Sequence, residues 1–595
     1  MIALSPLKIN YILMKHISFL LLLSAIIFSS CKESLDTYPE SKLSPETFFK
    51  TEEELLLYSN KFYIDILPTA ADIYEENADA IIITPLKENV TGQRTVPGTG
   101  GGWSWSALRR VNFLLENSKN CKDLAVRNKY DALAKFFRAY FYFQKVQRFG
   151  DVPWYNKVLG SADPDLYKSR DSRTLVMDSI MRDLDFAIEY LSPQKDAYRV
   201  NKWTALALKS RIGLFEGTFR KYHNLGSHEA YLDASISAAE KLMTEGGYSL
   251  YTSGQTPYQS LFATQNAIAQ EIILSRKYDA GLSLFHDVQY YENASTRGRP
   301  GLSKRIVNSY LTSQGTRFTD LPGAATMQFY EETQNRDPRL AQTIRTPGYK
   351  RMGSSATVAP NLAFTLTGYH LIKYAMEVSY DVSGRSSVDL PIVRLAEVYL
   401  NYAEAKAERG TLTQGDIDKS IRLLRSRVGM PNLDMAAANS NPDPYLSSPD
   451  TGYPNVTGQN KGVILEIRRE RTIELIMEGF RYYDIMRWKE GKSFEKPFLG
   501  AYFPGIGIYD LDKDGKDDVS FYKGTKPATS APLSLEVGVD INFSAGTHGY
   551  IINHDAFARK WDENKDYLYP LPVEDRSLSG GKLTQNPGWI DGLSF

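Results

Sequence analysis

The chain has 595 residues, 42% hydrophobic and 24% charged, an ordinary mixture for a packed protein and long enough for a large core. Lys+Arg and Asp+Glu both number 70, so no net charge draws the protein to nucleic acid or to an acidic surface. With only 2 Cys a disulfide framework is excluded, and stability has to come from burial.

The first element in the chain is an export signal. Met14, Lys15 and His16 form a short basic start, which makes Met14 the more natural initiator; an apolar run over residues 17–28 comes next, then Ser29, Ser30 and Cys31. Residues 1–30 therefore read as a signal peptide whose removal leaves Cys31 at the N-terminus. The apolar run is short of the roughly 20 residues that span a bilayer, and no later segment approaches that length. A terminal thiol accepts acyl chains, and several chains together hold a folded body on a membrane surface. The pattern looks like a bacterial lipoprotein signal, with Phe28 where Leu is usual; the alternative is an ordinary cleaved signal with a coincidental cysteine. Once Cys31 carries lipid, Cys121 has no disulfide partner. Residues 31–50 form a polar tether, in which Ser44, Pro45 and Glu46 resemble a helix start.

Helical periodicity dominates from residue 51 onward. Thr51 with Glu52, Glu53 and Glu54 starts a helix through residue 66. Residues 84–102 carry Pro85, Pro97 and five glycines and read as a long loop, of the sort that is usually functional or mobile. Leu108, Val111, Asn112 and Leu115 share one face; Tyr130, Leu133, Ala134, Phe137, Phe141 and Val146 form a second stripe that stops at Gly150. Further helices are expected over 175–191, 203–219, 231–243, 392–407 and 417–428, with small residues such as Ala205, Ala207, Ala403 and Ala405 at contacts. The fold class is thus mainly α, a tetratricopeptide-like array of helix hairpins, with a generic bundle as the alternative. Residues 254–391 and 502–522 have the texture of short strands and irregular loops laid over that scaffold. No low-complexity linker separates the textures, so residues 51–595 read as one domain, in two parts at about 51–250 and 251–595.

Asp510, Asp512, Asp514, Gly515 and Asp518 reproduce the spacing of a calcium loop, with the Lys516 carbonyl at the seventh position. Phe521 stands where the bidentate Glu of a sensor would be, and Ile506, Ile508, Val519 and Phe521 alternate like strands. A calcium-stabilised hairpin is the expectation, against an acidic solvated turn. No organic cofactor is expected.

Four stretches resemble the SusD/RagB family, the surface nutrient-binding lipoproteins of Gram-negative gut and oral bacteria. They are Cys31 with Leu35, Asp36 and the tract 39–49; Phe136-Phe137-Arg138-Ala139-Tyr140-Phe141-Tyr142 closing on Phe149-Gly150-Asp151-Val152-Pro153; Arg394-Leu395-Ala396-Glu397-Val398-Tyr399-Leu400-Asn401-Tyr402-Ala403-Glu404-Ala405; and Arg468-Arg469-Glu470-Arg471 with Glu474, Glu478, Gly479, Arg481, Asp484, Arg487 and Trp488. A tail, Tyr569-Pro570-Leu571-Pro572 with Gln585-Asn586-Pro587-Gly588, also fits. In physical terms the fourth stretch spaces opposite charges i,i+3 along a helical face, and Glu397, Glu404 and Glu408 are expected to pair with arginines.

The resemblance implies an outer-membrane, lipid-anchored, surface-exposed protein that captures oligosaccharides and hands them to a SusC-type TonB-dependent transporter. A same-fold peptide binder like RagB, or a surface-anchored glycoside hydrolase, are the alternatives. The chain has no H-E-x-x-H; Gly102-Trp103-Ser104-Trp105-Ser106 ends in Ser where a nucleophile elbow needs Gly; and residues 98–102 lack the Lys-Ser/Thr of a phosphate loop. A pair of carboxylates for glycoside hydrolysis leaves no such signature. Sugars bind through ring stacking and a rim of hydrogen bonds, and members of the family place such residues on loops after the first helices and in the mid-chain elaboration. Here those loops offer Tyr74, Glu76, Asn77, Arg94 and Trp103, then His286, Tyr290, Tyr291, Asn293 and Arg297, with Tyr290-Tyr291 beside Asn293 as the expected platform.

Overall fold

The computed structural model describes residues 47–76, 78–590 and 592–593; Cys31, the Ser44 start and Asn77 lie outside the described residues. Helix α1 (Glu52–Ile66) opens on a capping box, the Thr51 hydroxyl accepting from the Glu54 N–H at 3.4 Å while the Glu54 carboxylate accepts from the Thr51 N–H at 3.3 Å. Then come α2 (Ser106–Asn117), α3 (Leu124–Phe149), α4 (Arg173–Tyr190), α5 (Lys202–Tyr222) and α6 (Glu229–Glu245). Successive helices pack in pairs, α3 on α4 and α5 on α6, and the later helix α7 (Leu395–Arg409) docks across both α5 and α6. Glycine makes the tightest of these contacts: a Cβ on Gly213 of α5 would stand 2.6 Å from the Tyr231 carbonyl of α6. The mainly α expectation holds.

The sequence stripes map onto the core. Phe137, Phe141, Val146 and Leu133 of α3 are buried with Val111 and Leu108 of α2, and Phe137 meets Phe62 edge to face at 5.6 Å. Charge pairs join the same helices. Arg138 of α3 grips Asp183 of α4 through two bonds of 2.7 and 2.8 Å, and Arg173 of α4 reaches Glu216 of α5 at 2.7 Å. Among the described residues no helix is long and apolar enough to cross a membrane, and Cys121 is a buried free thiol.

Two sequence expectations need correction. Ile392 and Val393 do not start a helix: they belong to strand β2 (Leu390–Arg394), antiparallel to β1 (Ile272–Arg276). A short β-branched run after Pro391 fits a buried strand as well as a helix, and periodicity cannot separate the two. The helix expected over 417–428 is broken, with Gln414–Asp418 preceding α8 (Ile421–Arg427), because the Ser420 hydroxyl donates back to the Asp416 carbonyl at 2.5 Å.

The fourth family stretch is two helices, α9 (Lys461–Glu474) and α10 (Arg481–Arg487), separated by a bend at which Met477 and Gly479 have φ of 59° and 79°. A Cβ on Gly479 would lie 2.6 Å from the Asp72 carbonyl, so the bend is a close approach between chain segments. Its charges consequently pair mostly between elements instead of along one face. Glu474 accepts from Arg427 at 2.7 Å, Arg394 at 2.8 Å and Arg339 at 3.0 Å. Arg481 grips Asp79 at 2.7 and 2.9 Å, and Asp484–Arg487 is the i,i+3 pair that does form. The α7 acids meet the expected partners: Glu397 takes Arg211 at 2.6 Å and Glu404 takes Arg487 at 2.5 and 2.8 Å. Burial alone would push the Glu404 carboxyl up, but Arg487, Arg471 and Arg468 hold it down at about 2. A buried network of this sort is costly to break at one member, by about 3–5 kcal/mol per pair, and it fixes how the helices cross.

The C-terminal part adds small sheets. Strands β3 (Phe498–Phe503), β7 (Asn542–Phe543) and β8 (Gly549–Asn553) form one, with β8 in the middle. Strands β4 (Gly507–Tyr509), β5 (Val519–Tyr522) and β6 (Leu533–Glu536) form another, β4 antiparallel and β6 parallel to β5.

Candidate ligand-binding site

A cavity of about 790 Å³ opens where the chain after α1, the 84–105 loop, α3 and the start of α10 meet. That volume suits a ligand of several rings. Asp72, Lys87, Ser104 and Ser106 are exposed at its mouth, while Gln144, Phe480, Tyr482 and Tyr483 are half-buried along its wall. Helix α3 supplies the floor, where Lys145, a buried cation, lies one helical turn beyond Phe141 and so faces the same way. The glycine loop crosses just above. Lys145 donates to the Gly102 carbonyl and Arg148 to the Gly101 carbonyl at 2.9 Å. A Cβ on Gly102, at φ +88°, would sit 2.8 Å from Arg148 Nε, so only glycine lets the loop lie on the arginine. Burial, with Arg148 adding like charge, lowers the Lys145 ammonium to about 7.

The expected binding residues do not converge on this cavity. Tyr74 is 2% exposed, packed 5.4 Å from the ring of Tyr291, which is also 2% exposed. Trp103 is buried edge-on against Phe149 at 4.8 Å. Arg94 is buried with Asp566, donating to its carbonyl and, at 3.3 Å, to its carboxylate, and stands 4.2 Å over Tyr569; it ties down the C-terminal segment. Asn293 is buried, its amide oxygen accepting from Arg345 at 3.0 Å, and His286 is buried on the Val388 carbonyl at 2.9 Å. Arg297 pairs with Glu75 at the surface. Rings and amides held in this way have no free face for a sugar, so the Tyr290–Tyr291–Asn293 platform and the Tyr74, Arg94 and Trp103 contacts are corrected to core positions. The exception is Tyr290, half-buried with its hydroxyl 2.6 Å from that of Thr296, and it lies outside the cavity. Of the loop candidates among the described residues, only Glu76 lines the cavity. Its carboxylate accepts from the Met477 and Arg481 N–H groups at 3.0 Å each, and burial raises it to about 7.

The residues missed by sequence reasoning, Gln144, Lys145, Arg148, Tyr482 and Tyr483, lie in or beside two family stretches whose sequence suggests a structural role. One signal was available: a lysine on an apolar helical stripe.

The acidic loop between β4 and β5 folds as the expected hairpin. Asp510, Asp512 and Asp514 each offer an oxygen within 4.8 Å of the others, a donor set that suits a hard cation such as calcium. Asp510 also accepts from the Gly515 N–H at 2.8 Å. Asp518 is set differently from the expectation: it accepts from the Leu511 N–H at 2.7 Å and closes the loop. Lys516 turns its ammonium to Asp514 at 2.5 Å.

A second cavity, about 360 Å³, lies between Tyr445 and Tyr550, with Asn308 and Lys496 on its wall.

A helical array with an open polar cleft defines a binding protein by shape, and comparison with known proteins gives it a family. The chain belongs to the SusD family, whose profile matches residues 269–589; a second profile, described as starch-binding associating with outer membrane, matches residues 104–214. The chain is similar to SusD-like protein P38 of Formosa agariphila, 22% identical over 81% of this chain and 93% of that one. It is also similar to a SusD-like protein of Bacteroides ovatus, 23% identical over 88% and 94%. Among solved structures it resembles a SusD-like protein of Bacteroides fragilis at TM-score 0.67, with 22% identity over 93% of this chain and 100% of that one. A SusD-like carbohydrate binding protein of the same species matches at TM-score 0.64, with 21% identity over 89% and 99%.

Proposed function

We propose that this chain is a cell-surface lipoprotein of the outer membrane, anchored through Cys31, that captures oligosaccharides in the 790 Å³ cleft and passes them to a SusC-type TonB-dependent transporter. The observation that carries the reading is the cleft itself: it is open, sized for several sugar rings, and combines the Tyr482, Tyr483 and Phe480 rings with the amide of Gln144 and the Ser104 and Ser106 hydroxyls. Membership of the family and the outer-membrane starch-binding description of its second profile support the ligand class and the location. The protein binds without cleaving. Glu76, the cleft acid raised to about 7, is buried with each oxygen held on a backbone N–H group, a setting that fixes the bend between α9 and α10. A calcium ion held by Asp510, Asp512 and Asp514 stiffens the C-terminal hairpin.

The test is calorimetric titration of the soluble form beginning after Cys31 against a glycan panel, with reducing ends assayed in parallel. Binding without release of reducing ends is expected; turnover of any glycan refutes the non-catalytic reading. The charged lining, where Arg110–Asp65 and Lys87–Glu75 pairs stand in the wall, favours a peptide ligand as second reading. Tight binding of peptides with no glycan affinity would establish it.

A further inference from the structure

Most cations of the cleft lining are paired with a carboxylate. Arg110 pairs with Asp65 at 2.5 Å, Lys87 with Glu75 at 3.3 Å, Arg211 with Glu397 at 2.6 Å, Arg471 with Asp484 at 2.8 Å and Arg487 with Glu404 at 2.5 Å. Among the described residues Lys145 and Arg148 have no carboxylate partner. Their acceptors are the two neutral carbonyls of Gly102 and Gly101. Lys145 is 8% exposed, and a buried ammonium without a counter-charge is expensive. Arg148 adds to that cost by standing one helical turn away. Its Nε is used on the loop, its guanidinium stands 3.8 Å over Tyr569, and the side chain is half-buried in the cleft lining. Two adjacent cations held by glycine backbone, where the other cations of the lining have carboxylate partners, form a place for an anion supplied by the ligand. A guanidinium fork meets a carboxylate or a sulfate in two parallel bonds, and a lysine beside it adds a third.

We propose that the cleft selects acidic glycans, and that Lys145 and Arg148 together hold the uronate carboxylate or sulfate ester of one sugar unit beneath the Gly101–Gly102 loop. This rests on the cleft being the glycan site. Neighbouring rings of the same chain then lie along Tyr482, Tyr483 and Phe480 toward the mouth. The depressed ammonium of Lys145, near 7, fits a group that awaits its counter-ion.

The experiment is titration calorimetry at pH 6 with oligogalacturonates and carrageenan oligosaccharides, each beside its carboxyl-reduced or desulfated counterpart of equal length. The acidic form is expected to bind about ten- to a hundred-fold more tightly than its neutral counterpart, which is the range of one to two charge-assisted hydrogen bonds. Preference for the carboxylated over the sulfated series, or the reverse, identifies the anion. Lys145→Met and Arg148→Gln are each expected to remove most of that preference, read as the ratio of acidic to neutral affinity within each variant. Lys145→Met keeps the apolar stem and deletes the costly charge, so it should fold at least as stably; if it does not, the more exposed Arg148→Gln carries the test alone. Equal binding of acidic and neutral forms, or a preference that survives both substitutions, overturns the acidic subsite and leaves glycan capture standing. Binding of no glycan of either kind overturns both.

Discussion

The bidentate bridge between Arg138 and Asp183 tests whether buried ion pairs, as well as apolar stripes, set the helix packing. Arg138 donates to both oxygens of Asp183, at 2.7 and 2.8 Å, and both side chains are under a tenth exposed. Arg138→Met leaves a buried carboxylate without its partner, and Asp183→Leu leaves a buried guanidinium; each should cost about 3–5 kcal/mol. The double variant replaces the pair with apolar side chains of similar reach. Its remaining loss is small, because Asn112, which takes only a 3.4 Å bond from Arg138, keeps its own bonds to the Tyr155 and Lys157 carbonyls at 3.0 and 3.2 Å. With an unfolding entropy of roughly 2.1 cal/mol/K per residue, about 1.2 kcal/mol/K for a chain of 595 residues unfolding in one transition, each single variant should lower Tm by about 3 °C. The double variant should return to within about 1 °C of the parent, giving a coupling energy of at least about 3 kcal/mol. Urea denaturation of all four proteins measures it. Single costs that simply add in the double variant would refute the argument and assign the stability to packing around Trp154, over which Arg138 stands at 5.3 Å.

Calcium added to chelator-treated protein should raise Tm, and Asp510→Asn should abolish that rise; an unchanged Tm would leave the loop an acidic turn. Glu292 is buried with one oxygen on the Tyr374 N–H at 2.9 Å and the other without a partner, and burial raises its carboxyl to about 8. Between the unfolded value near 4.5 and 8 the folded state holds a proton that the unfolded state gives up. The stability this supplies is complete below about 4.5 and is lost as pH rises through 8. Glu292→Gln should therefore match the parent at pH 4.5 and exceed it in Tm at pH 8.5, and a pH-independent difference would contradict the assignment. Finally, Tyr483→Ala or Phe480→Ala should weaken glycan binding about ten-fold while Tyr290→Ala leaves it unchanged; the opposite pattern would move the site to the Tyr290 surface.

The scaffold was legible because its helices obey local rules. The Thr51 capping box and the stop of α3 at Gly150 are encoded within a few residues of where they act. What escaped were pairings between distant segments. Glu474 finds Arg394, Arg427 and Arg339, none of which an i,i+3 rule can reach, and β2 is a strand because β1, more than a hundred residues earlier, is there to pair with it.

The site shows the same limit more sharply. Tyr74 and Tyr291 are expected from sequence as ligand-facing rings on two separate loops, and those two loops do come together, but they do so by packing these rings against each other. An aromatic residue on a binding loop has two ways to lower its free energy, stacking on a ligand or on the neighbouring loop, and the second needs no ligand. Sequence carries the preference for burial without naming the partner. Charge is the better guide, because a cation on an apolar stripe cannot satisfy itself by packing. Lys145 is such a residue, one turn beyond Phe141; Arg138, an earlier buried cation of α3, has Asp183 for its partner, whereas Lys145 lies under the Gly102 carbonyl with no carboxylate beside it, at the floor of the cleft proposed to bind ligand.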